Sequence, residues 1–297
     1  MPTPESWNSI SKQIELATNT SFKIIDIQAV SGGCINSGYL IQSNNNRYFI
    51  KLNQTHLVPM FKAEFAGLAE IAKTKTIKVP KPILFGKTSE HAFLVLEHFE
   101  LYSRNQQSDS QLGQQLAALH KTPQEFFGWH QNNTIGSTPQ INTSTEQWPI
   151  FWQTNRLNFQ LSLAEQNDFK GCLIESGKRL SNTLHHFFKG YTPQPSLLHG
   201  DLWSGNAAVT KQGEAIIYDP ACYYGDRETD IAMTELFGGF GSHFYSAYNE
   251  YYPLDSAYST RKTLYNLYHI LNHLNLFGSS YQQQAQNMID SLLSELC

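Results

Sequence analysis

The chain has 297 residues and a formal net charge of −4, and charged residues make up 15% of it, against the roughly 25% typical of soluble chains. This size is enough for one large or two modest domains, the charge excludes the basic surface of a nucleic-acid-binding protein, and no apolar run reaches the roughly 18 residues that span a membrane. The start of the chain has no basic-then-apolar secretory pattern, and the four cysteines lack paired spacing, so the sequence favours a reducing cytoplasm over a disulfide framework or a zinc site.

The first hundred residues are predicted to form a small β-rich unit. Alternating apolar residues indicate strands, and a spacing of three to four indicates helices. The predicted elements in chain order are a helix over 5–19, strands over 22–30, 39–43 and 47–53, a helix over 59–73, and strands over 79–86 and 91–99.

The turn between the first two strands has the sequence SGGCINSG (31–38). Glycines such as Gly32 and Gly33 let a backbone fold tightly and present N–H groups to a phosphate, although a plain hairpin turn fits the same residues. Cys34 lies among these N–H groups, which favour a thiolate. The sequence therefore predicts either an oxidation-sensitive cysteine beside a phosphate site or an inert turn residue.

Two charged residues of this unit are predicted to form a pair. Lys51 lies near the end of the third strand, where a kinase places the lysine that binds the phosphates of ATP. Glu64 lies three residues after Phe61 and four before Leu68, on the apolar side of its helix. An inward carboxylate needs a partner, and Lys51 is the predicted one; the alternative is that Glu64 flanks the apolar stripe in water.

The middle of the chain is predicted to be mainly helical. A polar linker is predicted over 103–110 and a helix over 112–120. Residues 128–148 are polar and rich in turn formers, which is typical of a functional or disordered segment. Further helices are predicted over 151–166 and 168–189.

The segment from His199 to Asp219 contains the densest group of candidate site residues. The sequence HGDLWSGN ends at Asn206, and two short strands around the turn KQGE then end at Asp219. Antiparallel pairing places the start of the first strand beside the end of the second, so Asp201, Asn206 and Asp219 are expected at one end of one hairpin. Two carboxylates and an amide oxygen suit Mg²⁺, which shares its other ligands with phosphate.

Four later residues are also candidates for a specific role. Asp230 opens a helix and is a candidate for its cap, and Arg227 is expected to neutralise nearby carboxylates. His269 and His273 have a spacing that can bind a metal, but no third ligand accompanies them in the sequence. They are therefore expected to be surface or core histidines.

Three stretches, HGDLWSGN, DPA and YYGDRETDIAMTELFGGF, resemble the fructosamine kinase (ketosamine 3-kinase) family, which belongs to the aminoglycoside-phosphotransferase-like branch of the protein-kinase-like fold. The spacing of His, Asp and Asn, followed by a hairpin and a second Asp, marks the whole branch. Trp203 and the run from Tyr223 to Phe240 narrow the resemblance to this family, and it covers nearly the whole chain. Gly200 and the DPA sequence stand where protein kinases have Arg and DFG.

The resemblance implies an α+β, bilobal, protein-kinase-like fold. Residues 1–99 would form an ATP-binding N-lobe with a five-stranded antiparallel sheet and an αC-type helix. Residues 100–297 would form a mainly helical C-lobe with the catalytic loop and the acceptor site. The resemblance also implies that Asp230 braces the catalytic loop and that residues 128–148 form a wall of the acceptor site.

The resemblance assigns a role to each candidate residue. Asp201 would accept the proton of the acceptor hydroxyl, and Trp203 would offer an aromatic face to the sugar unless it is a core tryptophan. The remaining roles are Mg²⁺ binding by Asn206 and Asp219, and nucleotide binding by Gly32, Gly33, Cys34, Lys51, Glu64 and the backbone of a hinge made of Glu97, His98 and Phe99.

The implied reaction is transfer of phosphate from ATP to the 3-hydroxyl of ketosamines, the adducts that sugars form with small amines or proteins, as a deglycation repair. The alternatives are another kinase of the same branch, with an aminoglycoside or choline-like acceptor, and a nucleotide-binding module without turnover. The amides of Asn132, Asn133, Gln140 and Asn142 predict a neutral acceptor pocket. Such a pocket suits a ketosamine with a short sugar better than a polycationic aminoglycoside.

Overall fold

The computed structural model describes residues 2–30 and 35–296, and its N-terminal part contains one antiparallel sheet. The elements are α1 (Pro4–Thr18), β1 (Asp26–Val30), β2 (Ser37–Gln42), β3 (Arg47–Gln54), α2 (Val58–Thr74), β4 (Pro82–Lys87) and β5 (His91–Glu97). The five strands pair in the order β1-β2-β3-β5-β4, as the predicted fold requires. β1 begins later than predicted because Phe22 is buried beneath α1, where its N–H donates to Glu15 at 2.9 Å.

The sheet lies between two helices because side chains alternate along β3. Ile50 and Leu52 are buried against one face with Ile10 and Ile14 of α1. Lys51 points to the opposite face, where α2 packs. Lys51 is thereby directed towards the C-terminal part of the chain, where it meets Asp219.

The C-terminal part is mainly helical. Its helices are α3 (Gln106–His120), α4 (Trp148–Trp152), α5 (Phe159–Gln166), α6 (Cys172–Thr183), α7 (Glu228–Leu236), α8 (Ser242–Tyr251), α9 (Tyr258–Phe277) and α10 (Gln282–Ser294). The predicted apolar stripe of α9 is buried, from Leu264 to Leu274. Across residues 2–30 and 35–296, no helix combines the length and the apolar character needed to cross a membrane.

Short strands join these helices into small sheets. They are β6 (Leu101–Tyr102), β7 (Asn133–Ile135), β8 (Thr138–Gln140), β9 (Ser196–Leu198), β10 (Ala207–Thr210), β11 (Ala215–Ile217) and β12 (Tyr223–Gly225). β10 and β11 form the predicted hairpin, with Ala207 opposite Ile217. β9 pairs with β12, so the segments before and after the hairpin lie side by side.

One prediction for this part is wrong, and two further segments differ in detail from their predicted form. The segment 103–110 is not a linker, because α3 begins at Gln106 and Asn105 caps it. The Asn105 Oδ1 accepts the Ser108 N–H at 2.9 Å, and the Ser108 hydroxyl accepts the Asn105 N–H at 2.8 Å. The segment 128–148 contains the β7–β8 hairpin, and a π-helical stretch (Gln153–Asn158) interrupts the helix predicted over 151–166.

Candidate active site

The loop between β9 and β10 is held by a buried carboxylate. Asp230 accepts the backbone N–H of His199 at 2.7 Å and that of Gly200 at 2.8 Å. The predicted bracing of this loop by Asp230 is confirmed. Asp230 does not cap α7, since that helix begins two residues earlier at Glu228.

Asp201 and Asn206 meet within this loop, as the hairpin geometry predicts. The Asn206 Nδ2 donates to the backbone carbonyl of Asp201 at 2.9 Å and approaches its carboxylate at 3.4 Å. The donating nitrogen faces Asp201, so the amide oxygen of Asn206 remains available to a ligand on its other side. Burial, reinforced by the charges of Asp219 and Asp230, raises the pKa of Asp201 to about 7.

Lys51 contacts the two carboxylates that the sequence places in different parts of the chain. Its Nζ lies 2.7 Å from Glu64 and 2.6 Å from Asp219. The predicted pairing of Lys51 with Glu64 is confirmed, and the contact with Asp219 joins this pair to the hairpin. Burial alone would lower the pKa of the Lys51 ammonium, but the two carboxylates outweigh it and raise this pKa above its usual value.

Asp219 has an unusual backbone conformation. Its φ is +59°, in the left-handed region, although it is not glycine and precedes Pro220. Both features are unfavourable for such a residue and are typical of functional sites, where surrounding contacts enforce them. The side chain of Asp219 remains 43% exposed, so its second oxygen can reach a ligand in the cleft.

The helix that carries Glu64 is fastened to the segment after Asp219. A Cβ at Gly67 would lie 3.0 Å from the Cβ of Cys222, and the Tyr224 hydroxyl donates to Glu70 at 3.0 Å. Close packing and this hydrogen bond fix α2 on the C-terminal part of the chain. The Lys51–Glu64 pair is therefore held by contacts outside the pair itself.

The amides predicted to face the acceptor are internal hydrogen-bonding groups. Gln140 donates to the Ala221 carbonyl at 3.0 Å and accepts from the Tyr268 hydroxyl at 2.8 Å. Asn133 donates to the Cys222 carbonyl at 2.8 Å. Gln140, Asn133 and also Asn142 are buried, so the prediction that they line a neutral acceptor pocket is wrong, whereas Asn132 is exposed. Gln140 and Asn133 hold the chain just after Asp219 instead.

Trp203 is at the surface of the loop. Its side chain is 39% exposed, and its ring lies where a Cβ of Gly205 would be, only 2.2 Å from that position. The ring therefore rests on the glycine with part of its surface towards solvent. This excludes a core tryptophan and leaves an aromatic face available beside Asp201.

The hinge residues Glu97, His98 and Phe99 follow β5 directly. They line a cavity of about 630 Å³ together with Tyr48 and Ile83. Tyr48 and Ile83 pack against the α1 core, on the face of the sheet opposite to Lys51. This cavity therefore lies on the face of the sheet opposite to Lys51.

The glycine-rich turn falls mostly outside the described residues. Gly32, Gly33 and Cys34 are not described, and their roles in phosphate binding and oxidation stay predictions. The residues that follow are anchored by β3, where the Asn53 Nδ2 donates to the Ile35 carbonyl at 3.0 Å and to the Asn36 side chain at 2.7 Å.

Arg261, rather than Arg227, forms the direct ion pair with a nearby carboxylate, that of Glu228. The Arg227 guanidinium donates to the Tyr248 hydroxyl at 3.1 Å and to the Tyr252 carbonyl at 2.8 Å. Arg261, which is buried, contacts Glu228 at 2.8 Å. The sequence did not single out Arg261, because an arginine on a helix gives no sign of its burial.

The two histidines four residues apart do not share a ligand. The ring of His273 is directed at the backbone, with its Nδ1 2.7 Å from the His269 carbonyl, and His269 is buried in the core. Burial lowers the pKa of His269 to about 3 and also lowers that of His120. His269 and His120 are therefore neutral core histidines at pH 7.

These histidines are expected to weaken the fold in mild acid. In the unfolded chain they bind protons near pH 6.5, but in the fold they do not, so their contribution to stability falls as the pH drops below 6.5. Each contributes at most about 1.4 kcal/mol per pH unit. Urea unfolding between pH 7.5 and 5 checks this, and His269→Gln should show a shallower loss than the wild type. Equal slopes for the two proteins would contradict the assignment.

Comparison with known proteins supports the family resemblance of the sequence along nearly the whole chain. The family model described as fructosamine kinase matches residues 6–295. A relative from Synechocystis sp., named a probable ketoamine kinase, is 47% identical over 98% of this chain and 98% of its own length. The protein-ribulosamine 3-kinase, chloroplastic, of Oryza sativa subsp. japonica is 39% identical over 96% of this chain and 84% of its own length.

Two solved structures have the same overall fold as this chain. A structure from Haemophilus somnus 129PT, named a putative fructosamine-3-kinase, has a TM-score of 0.90 and 31% identity over 97% of this chain and 98% of that chain. The choline kinase LicA from Streptococcus pneumoniae has a TM-score of 0.67 at 16% identity, over 96% of this chain and 99% of that chain. At that identity the likeness concerns the fold alone, and it agrees with the predicted protein-kinase-like architecture.

Proposed function

The chain belongs to the fructosamine kinase family, and we propose that it transfers the terminal phosphate of ATP to the 3-hydroxyl of ketosamines. The observation that carries this proposal is the meeting of Lys51, Asp219, Asn206 and Asp201 at one cleft. Phosphoryl transfer depends mainly on positioning and on charge stabilisation, which this arrangement supplies. We take residues 1–99 as the ATP-binding lobe and residues 100–297 as the lobe that binds the acceptor.

The donors at the cleft fit Mg²⁺. Asp219 presents a partly exposed carboxylate and Asn206 an amide oxygen turned away from Asp201, and Mg²⁺ prefers such oxygen ligands in company with phosphate. Asn206 and Asp219 are therefore the residues that would hold it. When bound, the ion would neutralise charge on the phosphates of ATP.

The other residues act on the nucleotide and on the acceptor. Lys51, kept protonated by its two carboxylates, supplies a fixed positive charge to the phosphates, and Glu64 orients it. The hinge of Glu97, His98 and Phe99 would meet the adenine through backbone groups. Gly32, Gly33 and Cys34 would cover the phosphates.

Asp201 is the proposed general base. Its pKa of about 7 makes it a better proton acceptor than an ordinary aspartate while leaving a large ionised fraction at neutral pH. It would accept the proton of the sugar hydroxyl as the phosphate is transferred. Trp203, two residues further on, would stack on the sugar.

The biological role that follows is deglycation in the cytoplasm. Phosphorylation of the sugar destabilises the adduct and frees the amine, whether that amine belongs to a small molecule or to a protein. The name of the rice relative, protein-ribulosamine 3-kinase, supports a ketosamine with a short sugar.

The acceptor class is the decisive test. We expect kcat/KM for a ribulose-lysine derivative to exceed that for an aminoglycoside or choline by roughly 10²-fold or more. The reason is that a mismatched acceptor leaves polar groups of the acceptor site without hydrogen-bond partners. A fructose-lysine derivative should fall between them. A preference for choline or an aminoglycoside would make the protein another kinase of the branch, and no product with any acceptor would make it a nucleotide-binding module.

A further inference from the structure

A partly exposed group of aromatic rings lies at the end of α7, on α9 and in the turn that follows α9. His273 contacts Phe237, Phe277 and Tyr281, with ring centroids 5.2, 5.4 and 5.1 Å away. Phe237 is 43% and Phe277 is 52% exposed. We call these four residues the aromatic patch. Exposed apolar groups clustered in this way are typical of binding surfaces.

The patch adjoins the loop that carries Asp201. The chain after Phe237 crosses this loop at Gly239, where an added Cβ would lie 2.5 Å from the Cβ of Ser204, the neighbour of Trp203. The Gly239 carbonyl accepts from Arg104, and the Gly241 N–H donates to Asp109 at 3.2 Å, so this crossing is fixed.

The other side of α9 faces the β7–β8 hairpin and Ile35. The Asn272 Nδ2 donates to the Ile135 carbonyl at 3.4 Å, and a Cβ at Gly136 would lie 3.1 Å from Leu276 and 3.9 Å from Ile35. Ile35 directly follows the glycine-rich turn. The last turns of α9 therefore lie between the patch and the residues next to that turn.

Part of the acceptor in the proposed reaction must extend beyond the catalytic loop. The nitrogen of a ketosamine is only a few bonds from its 3-hydroxyl, and it is a secondary amine that is protonated at neutral pH. When that hydroxyl is at Asp201 and the sugar is on Trp203, the nitrogen and its alkyl chain extend over the neighbouring surface. Aromatic faces attract both an ammonium ion and hydrocarbon.

We propose that the aromatic patch of Phe237, His273, Phe277 and Tyr281 binds the amine arm of the acceptor, meaning the charged nitrogen and the alkyl chain of a glycated lysine. This inference rests on the proposed function and deepens it. It makes the patch the determinant that selects lysine-derived ketosamines over adducts of the smallest amines. The buried amides of the β7–β8 hairpin have no part in this selection.

The test compares two acceptors that differ only in the amine, the ribulosamines of lysine and of methylamine. For Phe277→Ala and for the double variant Phe237→Ala/Phe277→Ala, we expect KM for the lysine adduct to rise about five- to tenfold. KM for the methylamine adduct, KM for ATP and kcat should stay within about twofold of the wild type. Phe277→Tyr, which keeps an aromatic face, should retain the wild-type KM for the lysine adduct.

Tyr251→Ala is the matched control, since Tyr251 is 49% exposed on α8 and should change neither acceptor. An equal loss with both adducts, or no change with either, overturns the inference while the proposed function stands. A loss seen only with glycated proteins and absent with the lysine adduct also overturns it, because the surface would then bind polypeptide. If the wild type phosphorylates neither adduct, the proposed function fails and the inference fails with it.

Discussion

Replacing Asp201 by asparagine is expected to lower kcat by roughly 10²- to 10⁴-fold, because the change removes a proton acceptor and keeps the size of the side chain. The hydrogen bond from Asn206 to the backbone carbonyl of residue 201 does not involve the carboxylate and should survive. Binding of ATP should therefore be largely unchanged. Steady-state kinetics with a ketosamine, together with calorimetric titration of an ATP analogue, check both parts.

The fold of the Asp201→Asn variant should be at least as stable as that of the wild type. The pKa of Asp201 is raised by burial and by two neighbouring carboxylates, so its ionised form is disfavoured in the fold and its removal relieves repulsion at pH 8. Asp168→Asn, at an exposed residue, is the control. Turnover within about tenfold of the wild type in a folded Asp201→Asn protein would exclude Asp201 as the base.

The residues that sequence reasoning located correctly are those fixed by local geometry. Asp201, Asn206 and Asp219 are held at one end of a hairpin, and strand pairing alone predicts that arrangement. Lys51 and Glu64 were matched because a carboxylate on an apolar helix face requires a partner. In each case one strong rule acts over a short stretch or on a single pair.

The acceptor side could not be predicted in the same way. Asn133 and Gln140 look like exposed loop residues in the sequence, because polarity does not distinguish an amide that binds a substrate from one that binds a buried carbonyl. Their partners, residues 221 and 222, lie more than eighty positions further along the chain. Arg156 shows the same limit: it is fully buried and donates to the Ile141 carbonyl at 2.6 Å.

The start of α3 could have been found from the sequence. Asn105 and Ser108 have the spacing of a reciprocal cap, which marks the beginning of a helix even in a polar stretch. Reading only the apolar residues placed the helix six positions too late. Capping side chains carry information that hydrophobic periodicity does not.

Gly200→Ala is expected to lower kcat/KM by roughly 10²-fold or more, although the residue makes no proposed contact with a substrate. Gly200 has a φ of +82°, and a Cβ there would lie 2.2 Å from the Ala221 carbonyl oxygen. That carbonyl also accepts from Gln140, and the Ala221 N–H donates to the His199 carbonyl at 2.9 Å. The methyl group must therefore push residues 219–222 away from the loop, which moves Asp219 from Lys51, and a displacement of about 1 Å at such a site can cost 10²-fold.

Gly213→Ala separates this effect from backbone strain. Gly213, in the turn between β10 and β11, has the same φ of +82° but has no atom within 4 Å of an added Cβ. A left-handed alanine costs about 1–2 kcal/mol at either position, so both variants should unfold at lower temperature. Only Gly200→Ala should also lose activity and bind Mg²⁺–ATP more weakly. If the two variants lose the same stability and Gly200→Ala keeps kcat/KM within about threefold of the wild type, the packing of Gly200 against Ala221 does not position Asp219.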